Sequence, residues 1–323
     1  MHTYLFGRQS HGKLEYRDVA DPSARSQQII VKIHASSLNP HDWKYYDTLK
    51  RICRLPIPFP ALTLGHDLSG TVVDVGRKVS RFKIGDPVYA MSMKTGAFGE
   101  YLALDHRMAA RKPEKLSHRE AGGMPMAALT AWQFYMLAKL RAGERVLVVG
   151  GSGGVGSQAV QIARAKGAHV TAVCSTRNLD LVASLGAEKI IDYTQEEVLD
   201  SGQRFDVVFD TIGTIAPLAA GRILKPKGRF LSTVTNARII MSALMSRFPG
   251  IPIPSTSTMI ALPIGRHLED IGKLVDDGVI RPVIDREFDI RDLENAIVYS
   301  KSGRARGKII LVIPEDVETS TER

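Results

Sequence analysis

Residues 145–156 read Arg-Val-Leu-Val-Val-Gly-Gly-Ser-Gly-Gly-Val-Gly, and residues 157–167 continue Ser-Gln-Ala-Val-Gln-Ile-Ala-Arg-Ala-Lys-Gly. The apolar run from Val146 to Val149 has no alternation, which is typical of a strand buried on both faces. An apolar face at helical spacing follows, formed by Val155, Ala159, Ile162 and Ala163. The stretch therefore predicts a strand, a glycine turn and a helix.

The glycine turn has the spacing of a nucleotide-binding motif, because Gly151, Gly153 and Gly156 satisfy the pattern G-x-G-x-x-G. Glycines permit close backbone approach, and the N-terminus of the helix presents free N–H groups to a pyrophosphate. Ordinary flexible loops also show this pattern, but the flanking strand and helix and a second strand from Ala168 to Cys174 predict a dinucleotide site. The predicted contacts are Gly151, Ser152, Gly153, Gly154, Val155 and Gly156.

The residues after the second predicted strand distinguish the two pyridine dinucleotides. NAD sites place Asp or Glu there to bind the ribose 2′-hydroxyl, whereas NADP sites offer a cation to the 2′-phosphate. The chain reads Ser175-Thr176-Arg177-Asn178, with no carboxylate before Asp180. Ser175 can donate to a phosphate oxygen and Arg177 suits bidentate phosphate binding, so we expect NADPH. The alternative is that Arg177 is a solvated residue that opens a helix.

The bulk composition is that of a globular protein. A chain of 323 residues is long enough for two domains, and 44% hydrophobic with 24% charged residues are ordinary values. No stretch is apolar enough to span a bilayer, and the first residues lack the apolar core of a signal peptide. Two cysteines, Cys53 and Cys174, cannot build a disulfide framework. We therefore expect a reducing compartment, the cytoplasm.

The net charge of +9 raises the possibility of nucleic-acid or anionic-membrane binding. The basic residues are scattered, however, and the densest cluster, Arg304, Arg306 and Lys308, is short and precedes a strand. The sequence also lacks the aromatic–basic interleaving of RNA-binding modules. We interpret the excess charge as solvated surface with attraction for a polyanionic cofactor, and we expect no nucleic-acid partner.

Two patterns divide the chain. From about residue 142 to residue 234, strands and helices alternate, which predicts a doubly wound parallel sheet covered on both faces. The first hundred residues and the end of the chain carry short β segments, typical of an irregular β-barrel-like domain, and residues 315–323 are expected to be disordered. The predicted domains are therefore residues 1–118 with 263–323, rich in β structure, and residues 119–262, of the Rossmann type.

The alternating part is predicted element by element. Gly167, Gly186 and Gly228 fall where a predicted helix gives way to a strand, as glycines that end helices do. The predicted strands are 145–149, 169–174, 189–192, 206–210 and 229–234, and the predicted helices are 157–166, 179–185, 196–200 and 217–224.

Motifs in order along nearly the whole chain carry a resemblance to a known family. They are the glycine turn and residues 38–42, 65–76, 82–88, 96–101, 129–132, 185–187 and 307–308. The chain resembles the medium-chain dehydrogenase/reductase superfamily, in its zinc-free quinone oxidoreductase (zeta-crystallin-like) branch. The resemblance implies a GroES-like catalytic domain, a Rossmann NADPH-binding domain, a cleft between them and a homodimer.

The chain departs from the zinc alcohol dehydrogenases of this superfamily at the metal ligands. Catalytic zinc needs cysteine, histidine or carboxylate ligands. Asn39 stands where the zinc enzymes have one cysteine, and Met126 aligns with the other. Their four-cysteine structural lobe is missing. Of the ligands only His66 remains, so we expect a zinc-free protein in which His66 is a hydrogen-bonding residue or a core histidine.

Without zinc, the acceptor must be reducible by hydride alone. Quinones and carbonyl-conjugated alkenes qualify because the arriving charge delocalises onto an oxygen, whereas an unactivated ketone needs a Lewis acid. We therefore expect an enzyme that uses NADPH to reduce a quinone or an α,β-unsaturated carbonyl compound. The alternatives are a 2-enoyl-thioester reductase and a non-catalytic NADPH-binding protein with a structural or redox-sensing role.

The resemblance implies three catalytic candidates in the segment from Asn39 to Tyr46. Asn39 can donate an amide hydrogen bond to a substrate oxygen, Asp42 orients its neighbours, and Tyr46 is the expected proton donor. The neighbouring Tyr45 is the other possible donor, and the alternative for all of them is a structural loop.

The resemblance also implies contacts with the cofactor outside the glycine turn. Thr130 matches a position near the nicotinamide and phosphates, and Tyr193 one beside the adenosine phosphate. Lys308 is similar to a lysine that reaches the cofactor from the tail, the alternative being a strand-edge lysine. Residues 235–262 depart most from the family; their apolar run 236–245 is a buried helix, a dimer contact or a wall of the substrate cleft.

Overall fold

The structure, a computed structural model, describes residues 1–6, 13–52, 62–94, 96–248 and 254–314. Cys53 and the expected disorder of residues 315–323 lie outside this described part. The strands, numbered along the chain, are β1 His2–Phe6, β2 Glu15–Asp18, β3 Gln28–Leu38, β4 Leu62–Thr63, β5 Asp67–Val75, β6 Pro87–Met91, β7 Tyr101–Asp105, β8 Ala109–Arg111, β9 Arg145–Val149, β10 His169–Cys174, β11 Lys189–Asp192, β12 Phe205–Asp210, β13 Leu224–Ser232, β14 Ser255–Ser257, β15 Ile284–Asp289 and β16 Lys308–Val312.

The helices are α1 Pro40–Ile52, α2 His118–Gly122, α3 Pro125–Leu137, α4 Gly154–Ala165, α5 Leu179–Ser184, α6 Pro217–Ala220, α7 Ala237–Met245, α8 Gly265–Asp276 and α9 Leu293–Lys301. Short 3-10 turns occur at His106–Met108, Thr176–Asn178, Val198–Asp200 and Ile290–Asp292. Among the described residues, no helix combines the length and the apolar character that crossing a membrane requires.

The chain divides into two compact units. Unit 1 comprises Met1–Pro125, Pro263–Gly272 and Ile284–Arg323, and unit 2 comprises Met126–Leu262 and Lys273–Val283. The chain thus changes unit at residues 125/126, 262/263, 272/273 and 283/284, where the sequence predicts changes at 118/119 and 262/263 only. Lys273–Val283 belong to unit 2 and not, as expected, to the same domain as the rest of residues 263–323.

Unit 1 contains a small sheet of order β2-β1-β4 and a larger sheet of order β15-β16-β3-β5-β6-β8, with β7 also paired to β3. The long strand β3 is almost wholly buried, and its pairing with β16 is antiparallel, with Ile309 opposite Leu38. The next residues outward from this pair are Lys308 at the start of β16 and Asn39 just after β3. The register therefore brings two residues together that are far apart in the sequence.

Unit 2 contains a parallel sheet of order β11-β10-β9-β12-β13-β14. The central strand β9 is buried along residues 146–149, which explains why its sequence shows no alternation. Val149 pairs with Val173 of β10, so the carboxyl ends of these two strands lie side by side. In open sheets of this kind, ligands bind beyond the carboxyl ends of the strands.

The predicted strands at 145–149, 169–174 and 189–192 have the observed bounds, but one predicted helix of unit 2 is wrong and another is too long. The predicted helix 196–200 is only a 3-10 turn, and the predicted helix 217–224 ends at Ala220. Pro226 explains the second error, because the residue before a proline favours an extended backbone. Gly228 therefore lies inside β13 and does not end a helix.

Helix α1 is missing from the predicted pattern of unit 1, which contained no helix in this segment. Trp43, Tyr46 and Leu49 recur every three residues on its inner face, and Tyr46 and Leu49 are buried in the core of the unit. Pro40 occupies the first turn, where a proline costs no hydrogen bond. The segment from Asn39 to Tyr46 is therefore the start of a helix and not a loop.

The apolar run 236–245 is helix α7, whose first turn is capped by the side chain of Asn236. Ile239 is its buried residue, whereas Ile240, Met241 and Leu244 are exposed in the single chain. The helix is therefore not buried as one of the three interpretations expected. Residues 249–253 of the same region lie outside the described part of the chain.

Candidate functional site

The first candidate site is a set of buried polar side chains in unit 1, which we call the unit 1 polar group: Asn39, Asp42, His66, Asp67 and Lys308. Asp42 lies in the first turn of α1, and its Oδ2 accepts a hydrogen bond of 2.7 Å from the backbone N–H of Asn39. A carboxylate at this place satisfies a donor left open at the start of the helix and matches the helix dipole.

Asn39 and Lys308 are joined through Asp67. Asn39 Nδ2 donates to Asp67 Oδ2 at 3.0 Å, and Lys308 Nζ donates to the same oxygen at 3.2 Å and also to Asn39 Oδ1. Asp67 is fully buried, and Lys308 is only 6% exposed. A buried ammonium and carboxylate are tolerated because each is paired and hydrogen-bonded.

His66 forms the second part of the group. Its Nδ1 lies 2.7 Å from Asp42 Oδ1, and its ring is almost completely buried. Burial alone would lower the pKa of His66, but the hydrogen bond to Asp42 and the charges of Asp42 and Asp67 raise that pKa above its ordinary value. Asp42 therefore stabilises the protonated imidazole.

His41 is a neighbour of His66 that the sequence did not single out. The two rings meet edge to face with their centroids 4.9 Å apart, and the exposed ring of His41 stacks on Tyr45 at 6.2 Å. Partial shielding of the His41 ring from water by these contacts, and then the nearby His66, lower the pKa of His41. The one signal in the sequence was its place one residue before Asp42 at the start of α1.

Within the described part of the chain, His41, Asp42 and His66 offer ligand-type atoms within 4.8 Å of one another. Both oxygens of Asp42 already accept hydrogen bonds, from His66 Nδ1 and from the backbone of Asn39. This is the geometry of a carboxylate that orients a histidine. His41 and His66 are therefore the imidazoles of the group, and its carboxylate uses both oxygens for hydrogen bonds within unit 1.

The two tyrosines of α1 have different surroundings. Tyr46 is 9% exposed and packs in the apolar core of unit 1, where its ring contacts Phe6 edge to face at 5.3 Å. Tyr45 is half-buried beside His41. The role of Tyr46 as proton donor stays a prediction.

The second candidate site is the glycine turn of unit 2, between β9 and α4. Gly153 precedes the helix with an extended backbone, and no side chain caps the helix there. The N–H groups of Gly154, Val155 and Gly156 lie in the first turn, where an α-helix offers them no partner of its own. The turn can therefore bind an anion such as a pyrophosphate.

Gly156 explains why the turn can pass so close to the helix. A Cβ atom at Gly156 would lie 2.0 Å from the carbonyl oxygen of Gly150, and Gly150 itself has φ of +81°. Both positions thus require glycine. Gly151, Gly153 and Gly154 add no side chains that would cover the backbone of the turn, which suits the approach of a pyrophosphate.

The end of β10 carries the residues predicted to bind the adenosine phosphate. Ser175 is partly buried and Arg177 is exposed in the 3-10 turn Thr176–Asn178. Asp192 is a carboxylate near this site that the sequence did not indicate. It ends β11 and pairs with Cys174 across two strands that are separate in the sequence. The hydroxyls of Thr176 and Thr194 donate to the carboxylate of Asp192 at 2.6 and 2.8 Å. The bond from Thr176, and to a lesser extent that from Thr194, lowers the pKa of Asp192.

Asn178 is a further residue that the structure adds to this site. It is 5% exposed, and its Nδ2 donates to Ser152 Oγ at 2.9 Å and to Ser175 Oγ at 3.2 Å. It thereby connects the glycine turn with the end of β10. No local signal in the sequence predicted this contact, because Ser152 and Asn178 belong to different strand–turn segments.

The remaining predicted cofactor residues lie in different surroundings. Thr130 is buried in α3, where its hydroxyl donates to the carbonyl of Met126 at 2.6 Å. Tyr193 is 60% exposed just after β11, and its backbone N–H donates to Cys174. Lys308 belongs to the unit 1 polar group described above. The contacts of these residues with a cofactor stay predictions.

Comparison with known proteins identifies the family. A family model described as an alcohol dehydrogenase GroES-like domain matches residues 25–114, and one described as a zinc-binding dehydrogenase matches residues 185–311. The chloroplastic quinone oxidoreductase QR1 of Triphysaria versicolor is 32% identical over 310 residues, which cover 92% of this chain and 93% of that protein. The chain belongs to the medium-chain dehydrogenase/reductase superfamily.

Two further proteins that are similar to this chain have names of the quinone and enone reductase type. The chloroplastic NADPH-dependent alkenal/one oxidoreductase of Arabidopsis thaliana is 32% identical, over 93% of this chain and 75% of its own length. The solved quinone oxidoreductase from Coxiella burnetii has a TM-score of 0.84 and 29% identity, covering 97% of this chain and 99% of that one. The predicted family and the predicted pairing of a GroES-like with a Rossmann-type domain are confirmed, and the chain is an oxidoreductase.

Proposed function

We propose that this superfamily member is an NADPH-dependent, zinc-independent reductase that transfers hydride to a quinone or to an α,β-unsaturated carbonyl compound. The observation that carries the proposal is the bonding of Asn39. Where the zinc relatives have a thiolate ligand, this chain has an amide whose two polar atoms are bound by Asp67 and Lys308. A site of this kind favours acceptors that can be reduced without a Lewis acid.

The choice of NADPH is supported by unit 2. The uncapped start of α4 suits the pyrophosphate, and the guanidinium of Arg177 beside Ser175 suits a 2′-phosphate. The carboxylate of Asp192 is occupied by two threonine hydroxyls, so it is less available to a ribose hydroxyl. One relative that we compare is also named as NADPH-dependent.

When bound, the nicotinamide supplies the hydride, and the protein must supply one proton. Reduction of a quinone consumes one hydride and one proton to give the hydroquinone. Reduction of an enone places the hydride on the β-carbon and the proton on the α-carbon. We assign the proton to His66, because Asp42 bonded to its Nδ1 stabilises the imidazolium.

The catalytic candidates named from the sequence then take different roles. Asp42 orients His66, and Asn39 positions Asp67 and Lys308, since its own amide is already hydrogen-bonded within the group. Tyr46 is the alternative proton donor, but the apolar surroundings of its ring favour His66.

We also propose a homodimer in the cytoplasm. The family resemblance supports the dimer, and the unpaired, buried thiol of Cys174 is consistent with a reducing compartment. Light scattering coupled to gel filtration measures the oligomeric state, and the proposal requires a mass of two chains.

Oxidation of NADPH with a panel of acceptors tests the proposal. The panel contains 1,4-benzoquinone, 9,10-phenanthrenequinone, a simple enone, an enoyl-CoA and an aldehyde, each with and without a chelator. We expect turnover with the quinones or the enone that the chelator does not change. Preference for the enoyl-CoA would establish the thioester reductase instead. Activity abolished by the chelator, or binding of NADPH without any oxidation, would refute the proposal.

A further inference from the structure

The side-chain amide of Asn178 donates hydrogen bonds to two serine hydroxyls through its nitrogen Nδ2. Nδ2 donates to Ser152 in the glycine turn and to Ser175 at the end of β10. The carbonyl oxygen Oδ1 of the same amide is buried without a partner. A buried, half-satisfied amide is unfavourable in an otherwise well-packed unit, so its retention calls for a reason.

The orientation of this amide follows from its surroundings. If the amide were rotated by 180°, Oδ1 would accept hydrogen bonds from both serines. The NH₂ group, with two donors, would then be buried without a partner in place of the single carbonyl oxygen. Buried unpaired N–H groups are rarer in proteins than under-satisfied carbonyl oxygens. The observed orientation, in which Asn178 is the donor to both serines, is therefore the more favourable one.

This orientation determines what the two hydroxyls can do. Each serine oxygen accepts a hydrogen from Asn178 and keeps its own hydrogen to donate elsewhere. In the part of the chain that the structure describes, neither hydroxyl of Ser152 or Ser175 donates a hydrogen bond to the protein. Phosphate oxygens only accept, so two hydroxyls prepared as donors are suited to phosphate groups.

We propose that Asn178 is a positioning residue that presents the hydroxyl of Ser175 to the 2′-phosphate of NADPH and the hydroxyl of Ser152 to the pyrophosphate. Ser175 immediately precedes the 3-10 turn that contains Arg177, and Ser152 lies in the glycine turn, where we place the pyrophosphate. Asn178 thus contributes to coenzyme selectivity without touching the coenzyme. The inference rests on the proposed NADPH dependence.

The experiment measures the Kd of NADPH and of NADH by isothermal titration calorimetry on the full chain. The variants are Asn178→Ala, Ser175→Ala, the double variant and Ser152→Ala. Ser184→Ala is the matched control, because this exposed hydroxyl at the end of α5 bonds only to its own helix turn and to Arg281.

We expect Ser175→Ala to weaken NADPH about tenfold, the value of one hydrogen bond to a charged group, and NADH less than twofold. Asn178→Ala releases both hydroxyls, so it should weaken NADH about as much as Ser152→Ala does and should weaken NADPH about tenfold more than NADH. Because Asn178 acts on the 2′-phosphate through Ser175, the double variant should be no weaker than Asn178→Ala by more than about twofold. Ser152→Ala should weaken both coenzymes alike, and Ser184→Ala neither.

A merely structural role would give a different result. If Asn178→Ala weakens NADH as much as NADPH, or if its effect adds fully to that of Ser175→Ala, the inference is wrong. Should Asn178→Ala fail to fold, Asn178→Asp keeps the shape but accepts both serine hydrogens, and it must then lose NADPH selectivity. A wild-type chain that binds NADPH no better than NADH would instead refute the proposed coenzyme.

Discussion

At the scale of single residues, the pair of Asp42 and His66 determines a pH dependence. The raised pKa of His66 means that its proton is lost only above the ordinary range of histidine, so kcat/KM should fall as pH rises through that value. Asp42→Asn removes the charge that stabilises the imidazolium. We expect this variant to move the descending limb of the pH profile to lower pH by about one unit.

Asp47→Asn is the matched control for this prediction, since Asp47 lies on the same helix but pairs with Lys301 at the surface. The pH profile of that variant should coincide with the wild-type profile. A descending limb that stays in place in Asp42→Asn would exclude His66 as the proton source.

Lys308 and Lys301 form two ion pairs that differ in burial. Lys308→Met removes the ammonium group that donates to the fully buried carboxylate of Asp67, and loss of one partner of a buried pair costs about 3–5 kcal/mol. Lys301→Met breaks the half-exposed pair with Asp47 and should cost less than about 1 kcal/mol. Urea unfolding measures both, and equal losses would contradict the buried pairing.

The sequence predicted Asn39, Asp42 and His66 as separate residues but not their arrangement. The bond from Asp42 to His66 spans 24 positions and that from Lys308 to Asn39 spans 269. Such contacts depend on the register between strands that are distant in the sequence, and a local sequence pattern does not predict that register. The glycine turn could be predicted because its chemistry is contiguous in the sequence.

At the scale of elements, the contact of α4 with the turn before it depends on one glycine. Gly156→Ala would place a methyl group 2.0 Å from the carbonyl oxygen of Gly150, whereas Gly153→Ala would place one at 3.5 Å from the same oxygen. We expect Gly156→Ala to lower the free energy of unfolding by about 3 kcal/mol and to weaken NADPH binding. Gly153→Ala should be about as stable as the wild type, and chemical denaturation compares the two.

Helix α2 is attached to β5 through His118, whose Nδ1 lies 2.8 Å from Ser69 Oγ. Burial, and then the charges of His34 and Lys112, lower the pKa of His118 to about 4. As pH falls from the ordinary histidine value to 4, the unfolded chain takes up a proton that the folded chain does not, so stability is lost in this window.

His118→Gln removes this titration and should flatten the loss of stability between about pH 6.5 and pH 4. His169→Gln is the control, because His169 lies on the surface beside Glu188. Urea midpoints measured across this range test the prediction. An unchanged slope in His118→Gln would show that acid acts on other groups.

The elements of unit 2 were predicted better than those of unit 1 for a physical reason. A strand buried on both faces, such as β9, gives an unbroken apolar run that a glycine ends. Helix α1 escaped prediction because its inner face is made of Trp43, Tyr46 and Leu49 among charged residues, and its mean hydropathy is low. Strand β14 has only three residues and gives no pattern of its own.

At the scale of the whole molecule, the two-part organisation followed from the change between irregular β segments and regular alternation. The match to a GroES-like domain at 25–114 lies within unit 1, whereas the match to a zinc-binding dehydrogenase at 185–311 begins in unit 2 and extends into the last segment of unit 1. The division of labour is a proposal: unit 2 binds the coenzyme, and unit 1 supplies the proton.

Transfer of deuterium from NADPH that carries deuterium at both positions on C4 of the nicotinamide tests this account most directly. The enzyme is incubated with the labelled coenzyme and an enone, and mass spectrometry locates the label in the product. The account predicts deuterium at the β-carbon and a solvent proton at the α-carbon, in the presence of a chelator. A reduced enone without the label, or no reduction of either the enone or 1,4-benzoquinone although NADPH binds, would contradict it.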